Sequence, residues 1–421
     1  MSAEVFFRTH IDGETIDPSR FLARFDEISS FGATGDGGLD RQALSKPDIE
    51  AHRTVIDWFR RPGYRINADA VGNIFITRAG TDGTAAPLVT GSHLDSQPTG
   101  GRFDGALGVV AAAEVLASLD DRAIATRRPI QLAIWMNEEG CRFSPVTMGS
   151  AVFSGSLPSA VAGRAVDREG ASFARELDKF FLGIGVKGTT EPLSRPWRYL
   201  ELHIEQGPIL ECEHSTIGVV TGVQGTIQYR IDIEGQEAHA GTTPPAMRRD
   251  AFKAARTLID RIESKLEDGD CSTRFTVGRC DIHPSAPNTI AGRTSFTVDL
   301  RHPDASTLER HDVLIHKTIQ DYAGPCGVTL TKLINTKPVA FDLRLTNAID
   351  AAAERRGLAR QHLLSGATHD AARIAGLCPA AMIFVPCRNG LSHCPEEFAS
   401  ETDMIAGVSV LHDVVLAEAQ A

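Results

Sequence analysis

The sequence predicts an α/β fold: an open sheet with helices, interrupted by a smaller two-layer α+β unit. Three observations carry this. Apolar runs of strand length, such as Ile130 to Met136 and Ala381 to Val385, end in polar turns and alternate with helical runs. From about residue 219 the runs instead alternate apolar with polar residues, as half-exposed strands do. Beyond about 334 the first pattern returns. The main domain is therefore expected over 1–218 and 335–421, with 219–334 inserted into it.

Composition narrows the function classes. The chain has 421 residues, ample for two domains, and its 42% hydrophobic content is ordinary for a globular protein. A net charge of -11 argues against a nucleic-acid partner, which would want a basic face. Eight cysteines in this length make no disulfide framework, and without a CxxC pair a zinc ribbon is not expected. Met1-Ser2-Ala3-Glu4 lacks the basic and apolar regions of a signal peptide. No apolar run approaches the roughly 20 residues that span a bilayer. A soluble cytoplasmic protein is expected.

The elements follow in order. Phe21 to Phe25 begins an amphipathic helix after Pro18-Ser19, and Ala51 to Phe59 is a second. Arg41 to Ser45 is polar and reads as a loop. Asn67 to Ile76 is a turn feeding a strand, broken at Gly72-Asn73. Leu88-Val89 ends a buried strand and Ala106 to Leu119 is a helix. Between them lie Gly91-Ser92-His93-Leu94-Asp95-Ser96 and Gly100-Gly101-Arg102-Phe103-Asp104-Gly105. His93, Asp95 and Asp104 thus share a glycine-rich turn at a strand's C-terminal edge, the ligand side of an open α/β sheet. An imidazole with a carboxylate there can begin a zinc site; a solvated Asx-type turn would read the same way. A phosphate loop is excluded, because Ala106-Leu107 stand where Lys and Ser or Thr are needed.

The strand Ile130 to Met136 ends in Asn137-Glu138-Glu139-Gly140. Adjacent carboxylates leave a strand end in different directions. One can hold a metal while the other serves as a general base; a solvated loop is the alternative. Phe143 to Trp197 is mixed helix and loop. Tyr199 to Pro208 is a strand ending in Gly-Pro, with His203 between Leu202 and Ile204. Alone, His203 reads as a satisfied core histidine; it is a ligand only if other groups converge on it.

In the insertion, Ile227 to Ile233 alternates strictly and Glu237 to Pro245 is a turn. Ala246 to Ile262 is expected to be a helix with Phe252, Ala255, Ile259 and Ile262 on one face. Strands at Phe275 to Cys280 and Ser295 to Arg301, a helix from Leu308 to Tyr322 and a strand at Val328 to Thr331 complete the unit. Its exposed strand edges could pair with a second copy. Back in the main domain, Gly366 to Ala371 opens a helix and Ala381 to Val385 is a buried strand. The loop Pro386 to His393 and a helix from Asp403 to Leu416 follow.

His93 with Asp104, Glu138-Glu139, His203 and His393 thus leave four strand ends, and fall on one edge if the strands share a sheet. Imidazole and carboxylate suit Zn²⁺, Mn²⁺, Co²⁺ or Ni²⁺. A set containing a bridging carboxylate fits two ions roughly 3.5–4 Å apart. The chain resembles the M20 metallopeptidase-like superfamily in its hydantoinase/carbamoylase branch, over nearly its whole length. The resemblance rests on the Gly91–Ser96 and Gly101–Gly105 segments and on Asn137-Glu138-Glu139-Gly140. It rests equally on His203-Ile204-Glu205-Gln206-Gly207-Pro208, Ala238-His239-Ala240-Gly241-Thr242-Thr243-Pro244 and Gly390-Leu391-Ser392-His393. Peptidase cousins usually carry an acid where His203 stands.

The resemblance implies a dinuclear-zinc-hydrolase-type catalytic domain, interrupted by a dimerisation (lid) domain, in a homodimer. It implies two divalent ions per chain, bridged by Asp104, one held by His93 and His203, the other by Glu139 and His393. It implies Glu138 as general base, Asp95 orienting His93, and His239 reaching across the dimer to polarise an oxyanion. Gln206, His239, Asn288, Arg301 and Gly366 match substrate-binding positions of the branch. The implied reaction is hydrolysis of a ureido (carbamoyl) C–N bond in an N-carbamoyl-L-amino acid, with release of ammonia and CO₂. Allantoate hydrolysis and β-ureidopropionase activity compete within the branch. An aminoacylase, a dipeptidase or a binding protein without turnover are more distant readings. The sequence departs from the branch at Thr368, usually Gly, where a Cβ could strain a left-handed turn. Cys141 replaces the commoner Ser, and Cys394 is expected to be buried.

Overall fold

The computed structural model describes residues 15–191, 193–266 and 272–421. The N-terminal segment Met1 to Glu4 lies outside them. The chain divides into two compact units, one of Met1–Gly222 with Phe341–Ala421, the other of Val223–Ala340.

The first unit is built on one mixed sheet. Its strands run in the order Ile217–Val223, Ala380–Val385, Arg198–Ile204, Leu88–His93, Ile130–Trp135, Ile74–Arg78, Tyr64–Asp69, Gly188–Thr189. The four strands from Ala380–Val385 to Ile130–Trp135 are mutually parallel, so their C-terminal ends share one edge. Every residue of these four strands is buried, and Ala380–Val385 and Ile130–Trp135 accordingly read as near-continuous apolar runs. Helix Ala106–Asp121 packs on Leu88–His93 and Arg198–Ile204. It is buried from Ala106 to Leu119. Its one buried acid, Glu114, takes two hydrogen bonds of 2.7 Å from Arg20, which offsets the cost of burying the charge. Helix Glu401–Ala419 packs on the same helix and on strands Arg198–Ile204 and Ala380–Val385. Several strands escaped the sequence reading, the short Gly188–Thr189 and Val339–Ala340 among them. Ile217–Val223 pairs antiparallel with Ala380–Val385, which carries the first unit past 219, and Arg360–Ser365 pairs beyond it.

The second unit is a four-stranded antiparallel sheet in the order Arg274–His283, Arg293–His302, Gly225–Glu234, Gly327–Thr336. Ile227, Tyr229, Ile231 and Ile233 alternate into its core with helices Ala251–Leu266 and Ala305–Tyr322. The first of these helices departs from expectation. It begins at Ala251 and not at Ala246. Pro244 and Pro245 lead only into a short 3₁₀ turn, and Asp250 then accepts from the N–H groups of Phe252 and Lys253 as an N-cap. The buried face is Ala251, Ala254, Ala255, Leu258, Ile262 and Leu266, while Phe252 is 43% exposed. No helix among the described residues is long and apolar enough to cross a membrane.

Candidate active site

His93 is the last residue of strand Leu88–His93, and His203 is next to last in Arg198–Ile204. Glu138 and Glu139 follow Ile130–Trp135, and His393 lies on the loop after Ala380–Val385. The parallel strands bring all of them to one edge with Asp104. Asp104 Oδ1 lies 3.3 Å from His93 Nε2 and 3.1 Å from His203 Nε2. Its other oxygen lies 3.3 Å from His393 Nε2. His393 Nε2 is also 3.6 Å from Glu139. Two groups able to hold a metal ion result, His93/Asp104/His203 and Asp104/Glu139/His393, joined at Asp104. Glu138 belongs to neither, although its Oε2 is 3.5 Å from His93 Nε2.

The imidazoles are set for this role by the main chain. His93 Nδ1 donates to the carbonyl of Asp95 at 2.9 Å, and His203 Nδ1 to that of Ile204 at 2.9 Å. A carbonyl only accepts, so both rings carry a proton on Nδ1 and turn Nε2 toward Asp104. Asp95 thus orients His93 through its backbone; its carboxylate is 3.8 Å from Nδ1 and does other work. It accepts from the N–H groups of Glu138 and Glu139, each at 3.1 Å, and holds their turn. Gly105 has φ +64, and a Cβ on it would fall 2.4 Å from the His93 ring, so glycine is required there. Asn137, Gln206 and His393 all have left-handed backbones without being glycine. Such strain gathers where surrounding contacts over-determine a functional turn.

Electrostatics fit a cation site. Burial pushes Asp104 up, but hydrogen bonds from His203, His393 and His93 outweigh it and hold the carboxyl well below its usual range. Burial, then the charges of Asp370, Glu139 and Asp104, raises Glu138 well above its usual value. Glu139 is pushed up to about 7 by burial and by Asp104. The hydrogen bond that His393 donates to Asp104 raises its own pKa to about 9. Protons on imidazoles thus balance clustered carboxylates, a balance that divalent cations would take over while releasing those protons.

The amide of Gln206 donates to Asp104 Oδ2 at 2.7 Å, and its buried Oε1 has no hydrogen-bond partner. Gly366 follows strand Arg360–Ser365 in the same unit. His239, Asn288 and Arg301 lie in the second unit. There Ala238–His239 pairs with Thr289–Ile290, which sets Asn288 beside His239 on one ribbon. His239 Nδ1 accepts from the N–H groups of Gly241 at 3.0 Å and Thr242 at 3.2 Å, leaving the ring proton on Nε2. The Arg301 fork is engaged by Asp299 at 2.8 and 3.2 Å. Thr368 is not among the residues with a left-handed backbone, so its Cβ brings no strain of that kind. Cys394 is half-buried, not buried as expected.

Sequence reasoning missed several residues here. Gln97 donates to Glu139 Oε2 at 2.7 Å. Glu397 accepts from the N–H of Asp104 at 3.1 Å. Arg41, expected on a polar loop, is fully buried and donates to the carbonyl of Leu94 at 2.6 Å. Buried His369 and Glu201 form a third metal-competent group with His203. Two weak signals were present: an acid four residues after His393, and the His369-Asp370 pair after Gly366.

Comparison with known proteins shows the family. The description of peptidase family M20/M25/M40 matches residues 89–417. An N-carbamoyl-L-amino-acid amidohydrolase of Rhizobium meliloti is 37% identical over 97% of this chain and 98% of its own. An allantoate amidohydrolase of Bacillus subtilis is 32% identical over 92% and 94%. The crystal structure of a hydantoinase/carbamoylase family amidase from Burkholderia multivorans superposes with a TM-score of 0.88 at 40% identity, covering 96% of this chain and 98% of that one. With the family description spanning most of the chain and such relatives covering nearly all of it, the protein is a hydrolase belonging to peptidase family M20/M25/M40, in its hydantoinase/carbamoylase branch.

Proposed function

We propose that this protein hydrolyses the carbamoyl C–N bond of N-carbamoyl-L-amino acids. The ureido acid and one water give the amino acid, ammonia and CO₂. The observation that carries the reading is the split of Asp104 between two metal-competent groups, with Glu138 standing outside both. The substrate class comes from the Rhizobium meliloti relative, by its name and 37% identity. His93, His203 and Asp104 would hold one divalent ion; Asp104, Glu139 and His393 would hold the other. Bound there, Zn²⁺, or else Mn²⁺, Co²⁺ or Ni²⁺, would polarise the ureido carbonyl and ease deprotonation of the attacking water.

The chain's own residues do the rest. Glu138 takes the proton of the attacking water and delivers it to the leaving nitrogen. Burial and the neighbouring carboxylates raise its pKa, which makes it a stronger base toward the water than an ordinary carboxylate. Asp95 holds the Glu138-Glu139 turn through the two N–H bonds at its carboxylate. Gln206, Asn288 and Gly366 bind substrate, and Arg301 takes the α-carboxylate, for which its fork is the right shape. His239 offers Nε2–H to the developing oxyanion. We place the first unit as the catalytic domain and the second as a dimerisation domain, with His239 serving the neighbour's site in a homodimer. A cytoplasmic setting completes the reading; the described cysteines are free, as a reducing compartment keeps them.

Ammonia release from the ureido acids, and free amino acid release from the acyl and peptide substrates, test the proposal. The metal-loaded protein is given N-carbamoyl-L-amino acids, N-carbamoyl-β-alanine, allantoate, N-acyl amino acids and dipeptides. Turnover of N-carbamoyl-L-amino acids above the rest is expected. Allantoate is included for the Bacillus subtilis relative, and preference for it would move the substrate within the branch. Cleavage of acyl amino acids or dipeptides alone would overturn the carbamoyl reading.

A further inference from the structure

Glu397 has no part in the chemistry just described, yet it is built into the site. It is 4% exposed. Its Oε1 accepts from the main-chain N–H groups of Phe103 at 3.0 Å and Asp104 at 3.1 Å. Its Oε2 accepts from the Ser392 hydroxyl at 2.7 Å. That hydroxyl also lies 3.4 Å from Asp104 Oδ2. The turn makes room for this carboxylate: a Cβ on Gly101 would fall 2.3 Å from Glu397 Cδ. The neighbouring Phe398 ring packs edge-on to Phe103 with centroids 5.8 Å apart, so the same two segments also meet through apolar contact.

The three donors come from two segments, the turn that carries Asp104 and the loop that carries His393. A buried carboxylate is costly unless donors surround it, so satisfying this one draws the two segments together. The two halves of the site depend on it unequally. His93 and His203 sit on central strands and are oriented by the backbone carbonyls of Asp95 and Ile204. The His393 side chain is 49% exposed on a loop, and its neighbour Ser392 is tied to Asp104's turn through Glu397.

We propose that Glu397 is a positioning residue that locks the Asp104 turn to the His393 loop, and so governs binding of the ion shared by Asp104, Glu139 and His393. This rests on the two-ion reading above. With the lock removed, the His93/His203 half keeps its shape and the other half loosens.

The test is a Co²⁺ titration of the full-length, chelator-stripped protein, followed by visible absorption and metal analysis, with thermal unfolding of the metal-free chain as a fold check. Wild type is expected to take up two equivalents. Glu397→Leu fills similar volume without acceptors. It should bind the first equivalent as wild type does and the second at least about tenfold more weakly, the lower end of what losing a ligand's hydrogen-bond partner costs. Glu397→Gln should restore the second equivalent, because its carbonyl can accept both N–H groups while its amide donates to Ser392. If Glu397→Leu does not fold, Ser392→Ala leaves the carboxylate's N–H bonds in place, removes the hydroxyl that joins Glu397, Asp104 and Gln206, and should weaken the second equivalent severalfold. Wild-type affinity for both equivalents in the Leu or Ala variant overturns the lock. So does equal weakening of both, or a Gln variant as impaired as Leu. Uptake of a single equivalent by wild type would instead overturn the two-ion reading.

Discussion

Asp104 sends one oxygen toward His93 and His203 and the other toward His393 and Gln206. The residues around it differ in how firmly they are held. His393 is the exposed member on a loop. His393→Ala is expected to lower metal content toward one ion per chain, measured by metal analysis after dialysis. Unchanged content would mean that the C-terminal loop holds no ion. Arg301 makes a different claim, because Asp299 already engages its fork. Arg301→Lys is expected to raise KM for the ureido acid, a loss of about 1.5–3 kcal/mol, the range for hydrogen bonds to charged groups, and to leave metal content alone. An unchanged KM would remove Arg301 from the carboxylate site. At this scale the sequence was informative where residue type and position coincide. His93, Glu138, Glu139, His203 and His393 each stand at or just beyond the end of an apolar run. Glu397 and Gln97 have no such mark. An acid or amide on a loop looks the same whether solvated or buried against a backbone N–H, and only the fold decides.

Strands were legible in proportion to how uniform their environment is. Ile130–Trp135 and Ala380–Val385 are buried at every residue, and Gly225–Glu234 alternates because one face meets the helices. Arg360–Ser365, with alternating exposure and a charged start, was not recognised as a strand. The helix in the second unit differs from expectation in face as well as in boundary. The expected face included Phe252 and omitted Leu258; the observed one buries Ala251, Ala254, Ala255, Leu258, Ile262 and Leu266. Leu258→Ala is therefore expected to cost about 2–5 kcal/mol in urea unfolding, the range for emptying a packed site. Phe252→Ala should stay within about 0.5 kcal/mol, as an exposed substitution does. Comparable losses at both positions would contradict this face assignment.

For the whole molecule, the order of strands matters more than any one motif. Four parallel neighbours put residues from positions 93 to 393 at one edge. His239 lies in the other unit from every candidate metal ligand, and the proposed homodimer gives it a site in the neighbouring chain. Mixing inactive Glu138→Gln and His239→Ala chains should then rebuild one of two sites, restoring up to about half of a wild-type dimer's activity if the dimer is two-fold symmetric. No recovery after confirmed subunit exchange would place His239 in its own chain's site, or in none. The central claim is a two-ion site whose base is separate from its ligands. It is tested most directly by titrating the metal-free protein with Mn²⁺ while recording ammonia release from an N-carbamoyl-L-amino acid, for wild type and Glu138→Gln in parallel. The account predicts that wild-type activity appears as the second equivalent binds, and that Glu138→Gln takes up both equivalents and stays silent. Full activity with one equivalent or none, or a Glu138→Gln protein that turns over normally or no longer holds two ions, would contradict it.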